Sequence, residues 1–326
     1  MSRVWRRHSE LLIALLAGSA VLAVSLGAGL AVALGGSTEV GQTTSSPTFG
    51  VGTPVAPFST VPGTPSYATP HGVLTSWRFH SSGDPAAGAV RLKIFRYTGN
   101  GTDTDLAFKV LAESSLKTLE PDTSYDFKER IPVDQGDLLG LTAVGDAEVG
   151  ITVPGTPENR LAQFGGGDIP PGETGTATIA WPDLRPSVAA TVESDADADG
   201  FGDDTQDKCP VDPTTQALCQ FSFGRLKRNT KRGTAVLPVT VPGAGTLSLT
   251  GRGVAGQQAS TSRAASAGGR AVASASTVKL VVKGKGKKKK ALNKTGKVKL
   301  NLAITYTPTG GDPSTQSMKV KLKKKL

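Results

Sequence analysis

The chain has 326 residues, room for two ordinary domains, and its 40 glycines and 21 prolines with few aromatics favour turn-rich β modules. Only three histidines are present, which excludes a histidine-rich metal site. The formal charge of +10 is unevenly spread, since residues 221–326 carry 23 Lys and Arg against one acid, Asp312, whereas residues 41–190 carry 10 basic against 16 acidic residues.

Residues 1–37 read as a targeting segment. Arg3, Arg6 and Arg7 precede an uncharged run at 11–34 built largely from Leu, Ala, Val and Gly, the pattern of an N-terminal hydrophobic export helix. Two readings stay open. Ala31, Val32 and Ala33 form a small-x-small site that fits a cleaved signal peptide, yet the run is also long enough to span a bilayer as an uncleaved anchor. Membrane contact is expected only through this segment. In either case the arginines hold the terminus on the cytoplasmic side, and the rest of the chain is expected to be secreted or at the cell surface.

Residues 38–192 read as a first domain. As far as about residue 70 the chain is rich in Ser, Thr, Gly and Pro, which predicts linker or loosely ordered edge strands. Alternation then sets in. Val90, Leu92 and Ile94 share one strand face opposite Arg91, Lys93 and Phe95, and Leu106, Phe108 and Val110 repeat the pattern. Further strands are predicted at 74–80, 126–132, 137–142, 148–153, 176–181 and 188–192, with a tight turn inside 133–139 and another at Thr98-Gly99-Asn100-Gly101. Short strands without a convincing helix predict an antiparallel, jelly-roll-like β-sandwich whose sheets each keep one wet face. Trp77, Phe95, Tyr97 and Trp181 are either sugar-stacking platforms or core packing.

Residues 193–220 change character. Asp195, Asp197, Asp199, Asp203 and Asp207 fall close together, with Gly200 and Gly202 among them. Carboxylates at alternate positions, followed by a glycine that lets the chain reverse, can wrap the six to eight oxygens that calcium takes at about 2.3–2.6 Å. In a calcium-loop frame Asp195, Asp197 and Asp199 occupy positions 1, 3 and 5, Gly200 the turn at 6, the Phe201 carbonyl 7 and Asp203 9, directly or through water. Position 12 would want a bidentate Glu. The chain has Gln206 there, with Asp207 one residue later, and no amphipathic helix flanks the loop, so an EF-hand proper is not expected. Between residues 193 and 212 eight acids face one lysine. Carboxylates about 5 Å apart repel by somewhat under ~1 kcal/mol even in water, so the segment should be open without a cation and compact with one. The plainer alternative is an acidic, solvated spacer.

The order D-x-D-x-D-G-x-G-D, followed by Asp207-Lys208-Cys209-Pro210, resembles the calcium-binding type 3 repeats of thrombospondins, which also occur in exported bacterial proteins. The resemblance covers residues 195–219, a single repeat. It implies an irregular segment folded around calcium and an association with adhesion or matrix proteins. Cys209 and Cys219, the only cysteines, both lie here without CxxC spacing or a nearby His. In an exported chain they are expected to form a disulfide, a clamp worth roughly 3 kcal/mol in the chain-entropy account.

Residues 221–326 predict a Lys-rich second β domain. Val298, Leu300, Leu302, Ile304 and Tyr306 share one face of a long strand, as do Ala235, Leu237, Val239 and Val241. With further strands at 246–250, 277–282 and 318–322, the domain has the size of an immunoglobulin-like sandwich but lacks its Trp and paired Cys. The Ala, Ser and Gly stretch at 254–275 predicts a flexible loop. Lys283, Lys285 and the lysines at 287–290 are expected at a hairpin tip, and a second basic run lies at 323–325.

A basic surface attracts polyanions by counterion release; lysines on outward strand faces also simply solubilise and block edge pairing. Only Phe221, Phe223 and Tyr306 offer stacking platforms, so specific nucleic-acid binding is not expected. Beyond an export signal the polyanion would be an anionic envelope polymer or polysaccharide. An enzyme is not expected. A Ser–His–Asp arrangement would have to use His71 or His80 without a nucleophile elbow, and the Gly-rich stretch at 163–167 lacks the Lys-Ser/Thr of a phosphate loop. Signal, β domain, calcium segment and Lys-rich β domain in this order resemble exported proteins of soil actinobacteria. The expectation is an all-β, exported, calcium-binding and non-enzymatic surface or matrix protein. The alternative is a secreted carbohydrate-binding module in which calcium is purely structural.

Overall fold

The computed structural model describes residues 36–43, 49–51, 55–59, 67–81, 88–99, 106–145, 149–152, 159–164, 167–177, 179–182, 184–261 and 275–326. The hydrophobic run at 11–34, the Ala31-Val32-Ala33 site, the Asn100-Gly101 turn and most of the 254–275 stretch lie outside these residues. So does the side chain of Trp181. No helix among the described residues is long and apolar enough to cross a membrane.

The described residues form an all-β fold of antiparallel sheets with a single helix among them. In the first half a four-stranded sheet runs in the order Ser37–Gln42, Val188–Glu193, Gly72–His80 and Ser124–Val133. The segment from residue 38 thus supplies an edge strand, paired from Ser37↔Glu193 to Gln42↔Val188. A larger sheet centres on Gly88–Tyr97, flanked by Ala107–Glu113 and Leu138–Gly145. One core joins the two sheets, to which the first contributes Leu74, Trp77, Phe79 and Ala190, and the second Val90, Leu92, Ile94 and Leu141. Trp77 and Phe95 are fully buried, so packing rather than sugar stacking accounts for them.

One expectation fails. The opposite face of Gly88–Tyr97 is not wet. Phe95 packs there with Phe108, Val110 and Phe164 in a second apolar cluster. Lys93, which reads as a solvated residue by alternation, has a fully buried side chain. Its Nζ donates to Glu113 Oε2 (2.8 Å) and to the Ile169 carbonyl (2.5 Å), and lies 2.9 Å from Asp168 Oδ1. A buried ammonium persists only when paired and hydrogen-bonded in this way.

In the second half, Thr234–Val241 is flanked by Ser222–Phe223, Lys227–Asn229 and Ser276–Val282, and a second sheet runs Gln257–Thr261, Gly245–Thr250, Lys297–Pro308, Ser314–Lys323. Both predicted apolar faces are buried: Ala235, Leu237, Val239 and Val241 on one sheet, and Val298, Leu300, Leu302, Ile304 and Tyr306 on the other.

The lysines at 287–290 do not sit at a hairpin tip. They lie on the helix Gly286–Thr295, which ends at Gly296 (φ 67°), whose amide donates to the Leu292 carbonyl. Lysine is a good helix former. Leu292 is the buried anchor of this helix, and one apolar residue leaves no period to read in the sequence.

Candidate metal centre

The strand Val188–Glu193 delivers the chain into the acidic loop, and Glu193 fixes the point of entry. Its side chain belongs to a residue only 2% exposed. Oε1 accepts from Thr75 Oγ1 (2.8 Å) and Thr205 Oγ1 (2.7 Å), and Oε2 from the amides of Asp204 (3.0 Å) and Thr205 (2.9 Å). Thr75 can do this because Gly72–His80 shifts register between Leu74 and Ser76 against both neighbouring strands, a bulge that re-aims a side chain. Gly202 permits the close approach, since a Cβ there would stand 2.4 Å from Glu193 Oε2 and 2.6 Å from Thr75 Cγ2.

Inside the loop, Ala198 (φ 64°) and Gly200 (φ 86°) adopt left-handed backbone. The chain therefore folds back on itself, and one carboxylate oxygen from each of Asp195, Asp197 and Asp199 lies within 4.8 Å of the others. Asp195 is oriented by the amides of Asp199 (3.1 Å) and Gly200 (3.0 Å). Asp199 accepts from the Phe201 amide (2.8 Å) and from Gln216 Nε2 (2.7 Å). Asp203 accepts from the Ala196 amide (3.1 Å) and Ser194 Oγ (2.8 Å). Each of these oxygens keeps a second lone pair for another partner. The Phe201 ring lies under the Arg130 guanidinium at 4.3 Å, which leaves its main chain for the turn.

Asp197 and Asp207 differ. Both oxygens of Asp197 are buried without a hydrogen-bond partner among the described residues. Asp207 is 4% exposed; its Oδ1 accepts from the Cys209 amide (2.7 Å), and its Oδ2 is buried without a partner among the described residues. An unpaired buried polar atom costs about 1–3 kcal/mol, more if charged. Burial, reinforced by the fields of Asp199, Asp207, Asp195 and Asp203, pushes the Asp197 carboxyl up to about 7. Burial likewise lifts Asp207 to about 6, against the pull of the Cys209 amide and with help from Asp199, Asp203 and Asp195. Asp203 is also raised, again chiefly by burial. A cation among Asp195, Asp197 and Asp199 would satisfy the orphaned oxygens of Asp197 and relieve the repulsion felt by Asp207. Every donor in the cluster is an oxygen, the donor set of a hard ion such as calcium or magnesium.

Gln206, which the calcium-loop frame places at position 12, is engaged elsewhere. Its Nε2 donates to the Glu129 carbonyl (2.8 Å) in the strand Ser124–Val133 and its Oε1 accepts from the Gly202 amide (3.3 Å). Asp207, one residue on, turns inward instead. Cys209 and Cys219 form the expected disulfide. Both are buried in the core of the second half together with Val211 and Phe221, and the Cys219 carbonyl accepts from Ser314 Oγ (2.7 Å). The segment is thus fastened to the sheets on both sides of it. A cleft of about 350 Å³ lined by His71, Asp134, Asp195, Asp199 and Gly200 opens onto the loop.

Ser124, His80 and Asp122 also meet: His80 Nδ1 is 2.9 Å from Ser124 Oγ, and Nε2 is 3.3 Å from Asp122 Oδ1. The Asp122 side chain is 77% exposed, where water weakens its hold on the imidazole. The trio braces the turn before Ser124–Val133. The chain matches no family model, and no curated protein is similar to it in sequence.

Glu193, Gln206 and Gln216 are anchors not expected from the sequence. For Gln206 a signal existed: an amide where the calcium-loop frame wants a carboxylate. For Gln216 there was none.

Proposed function

We propose that this is an exported, non-enzymatic protein of the cell surface or extracellular matrix, in which calcium turns the 193–220 segment into a rigid joint between two β domains. Asp195, Asp197, Asp199 and Asp207 would hold the ion, with Asp203 and the Phe201 carbonyl completing the set. The thrombospondin type 3 resemblance suggests calcium among the hard cations. The Lys-rich domain would attach to an anionic envelope polymer. One observation carries the joint: the buried, partnerless oxygens of Asp197 and Asp207 in a segment pinned to a domain on each side. A bare spacer would have no reason to bury them. Calorimetric titration of calcium and magnesium into chelator-treated full-length protein tests the reading. Saturable calcium uptake at about 10⁻⁴–10⁻³ M, the range of extracellular modules, is expected. Absence of heat with either ion, together with an unchanged melting curve, would remove the joint.

A further inference from the structure

The helix Gly286–Thr295 and the C-terminal tail enclose a groove of about 590 Å³ on the second domain. Five cationic residues line it: Arg232, Lys283, Lys285, Lys289 and Lys324. They arrive from four places in the chain and are held by main-chain bonds. The Lys285 amide donates to the Gly253 carbonyl (2.7 Å), the Lys324 amide to Gly296 (2.8 Å) and the Lys325 amide to Thr230 (2.9 Å). Gly233 (φ 67°) lets the Arg232 turn close on the helix, because a Cβ there would stand 2.9 Å from Leu292 Cδ2. Lys324 Nζ donates to Asn293 Oδ1 (2.8 Å), a neutral partner.

No acidic side chain of residues 221–326 answers these charges. Asp312, the single acidic residue there, does not line the groove. Converging like charges repel, and they favour an anion that can meet several at once. The helix adds to the same sign, for its first turn holds no acid and Lys285 makes no side-chain cap.

We propose that this groove binds the phosphate groups of a polyanionic chain that carries no stacking bases. Each phosphate along such a chain carries one charge and two non-bridging acceptor oxygens at close, regular spacing, so successive groups can meet several lysines at once. Among the described residues no aromatic lines the groove, so it lacks the platforms on which single-stranded nucleic acid stacks. The proposal rests on the reading of the Lys-rich domain as a polyanion module and narrows it to one place.

The test measures binding of inorganic polyphosphate to the full-length protein, beside polyglutamate and an oligo-dT of similar charge. Lys285→Gln/Lys289→Gln is expected to weaken polyphosphate binding by about tenfold or more. Lys279→Gln/Lys319→Gln, which removes the same charge from exposed strand positions outside the groove, should cost less than about threefold. Melting curves of both variants control for folding. Equal losses in the two variants, with binding retained, overturn the groove but leave a diffuse basic surface standing. Polyglutamate or oligo-dT binding as tightly as polyphosphate overturns the ligand class. No polyphosphate binding by the native protein retires both the groove and the polyanion module.

Discussion

Gln216 Nε2 donates to Asp199 Oδ2 across 2.7 Å, and that bond joins the two parts of the connector. Asp199 belongs to the acidic turn, and Gln216 to the loop closed by Cys209–Cys219. The Cys209 amide holds Asp207 Oδ1 from the same side, so the disulfide loop orients two of the carboxylates that surround Asp197.

Calcium should stabilise the chelator-treated protein, by about 2.7 kcal/mol once its concentration reaches a hundred times the dissociation constant. Asp197→Asn should abolish that gain and raise the metal-free melting temperature, because it removes the most strongly opposed charge of the cluster. A variant that still melts higher with calcium would show that Asp197 is not a ligand. Differential scanning calorimetry with and without the ion reads both effects.

Without metal, stability should fall as pH rises. The folded-state carboxyls of Asp197 and Asp207 are raised to about 7 and about 6, above the ordinary carboxylate value of about 4. Below pH ~4 both states are protonated and nothing is lost. Between pH ~4 and ~7 the unfolded chain ionises while the folded chain holds its protons, so stability declines and then levels off. Denaturant titrations in chelator from pH 4 to 8 should trace this decline, and saturating calcium should flatten it by displacing the protons.

Glu193→Ala should cost about 3 kcal/mol, since it strands four donors that are now satisfied by one buried carboxylate. Glu193→Gln should cost less, as its amide oxygen still accepts. Chemical denaturation compares the two. Equal, negligible losses would mean that the loop does not depend on this pin.

Replacing both cysteines by serine should lower stability by roughly 3 kcal/mol and weaken calcium binding in the same protein. Weakened binding follows because Gln216 and the Cys209 amide would no longer be held against Asp199 and Asp207. Titration calorimetry on the double variant checks this. Unchanged affinity would make the clamp purely structural.

Lys93→Ala should destabilise by about 3 kcal/mol, because Glu113 and Asp168 would keep only the partly exposed Arg91 as counter-charge and the Ile169 carbonyl would lose its donor. A thermal melt suffices to measure it. A loss below about 1 kcal/mol would imply that water replaces the ammonium.

Much of the fold is legible in the order of residues, because a strand's two faces follow from a period of two. Val298 to Tyr306 by alternate residues, and Ala235 to Val241 likewise, mark out the core of the second half by pattern alone. The spacing of Asp195, Asp197 and Asp199 is equally local: alternate residues and a left-handed turn suffice to converge three carboxylates. The disulfide pairs the only two cysteines of the sequence, which flank one short loop.

The remainder depends on residues far apart in the chain. Lys93 reads as solvated until Glu113, Asp168 and the Ile169 carbonyl close over it. Glu193 is one acid among many until a bulge more than a hundred positions earlier aims Thr75 at it. The basic groove gathers Arg232 and Lys324 beside the helix. Local periodicity tells a side chain which face of its own strand it occupies. Only the packing of one element on another decides whether that face meets water, a counter-charge or an ion.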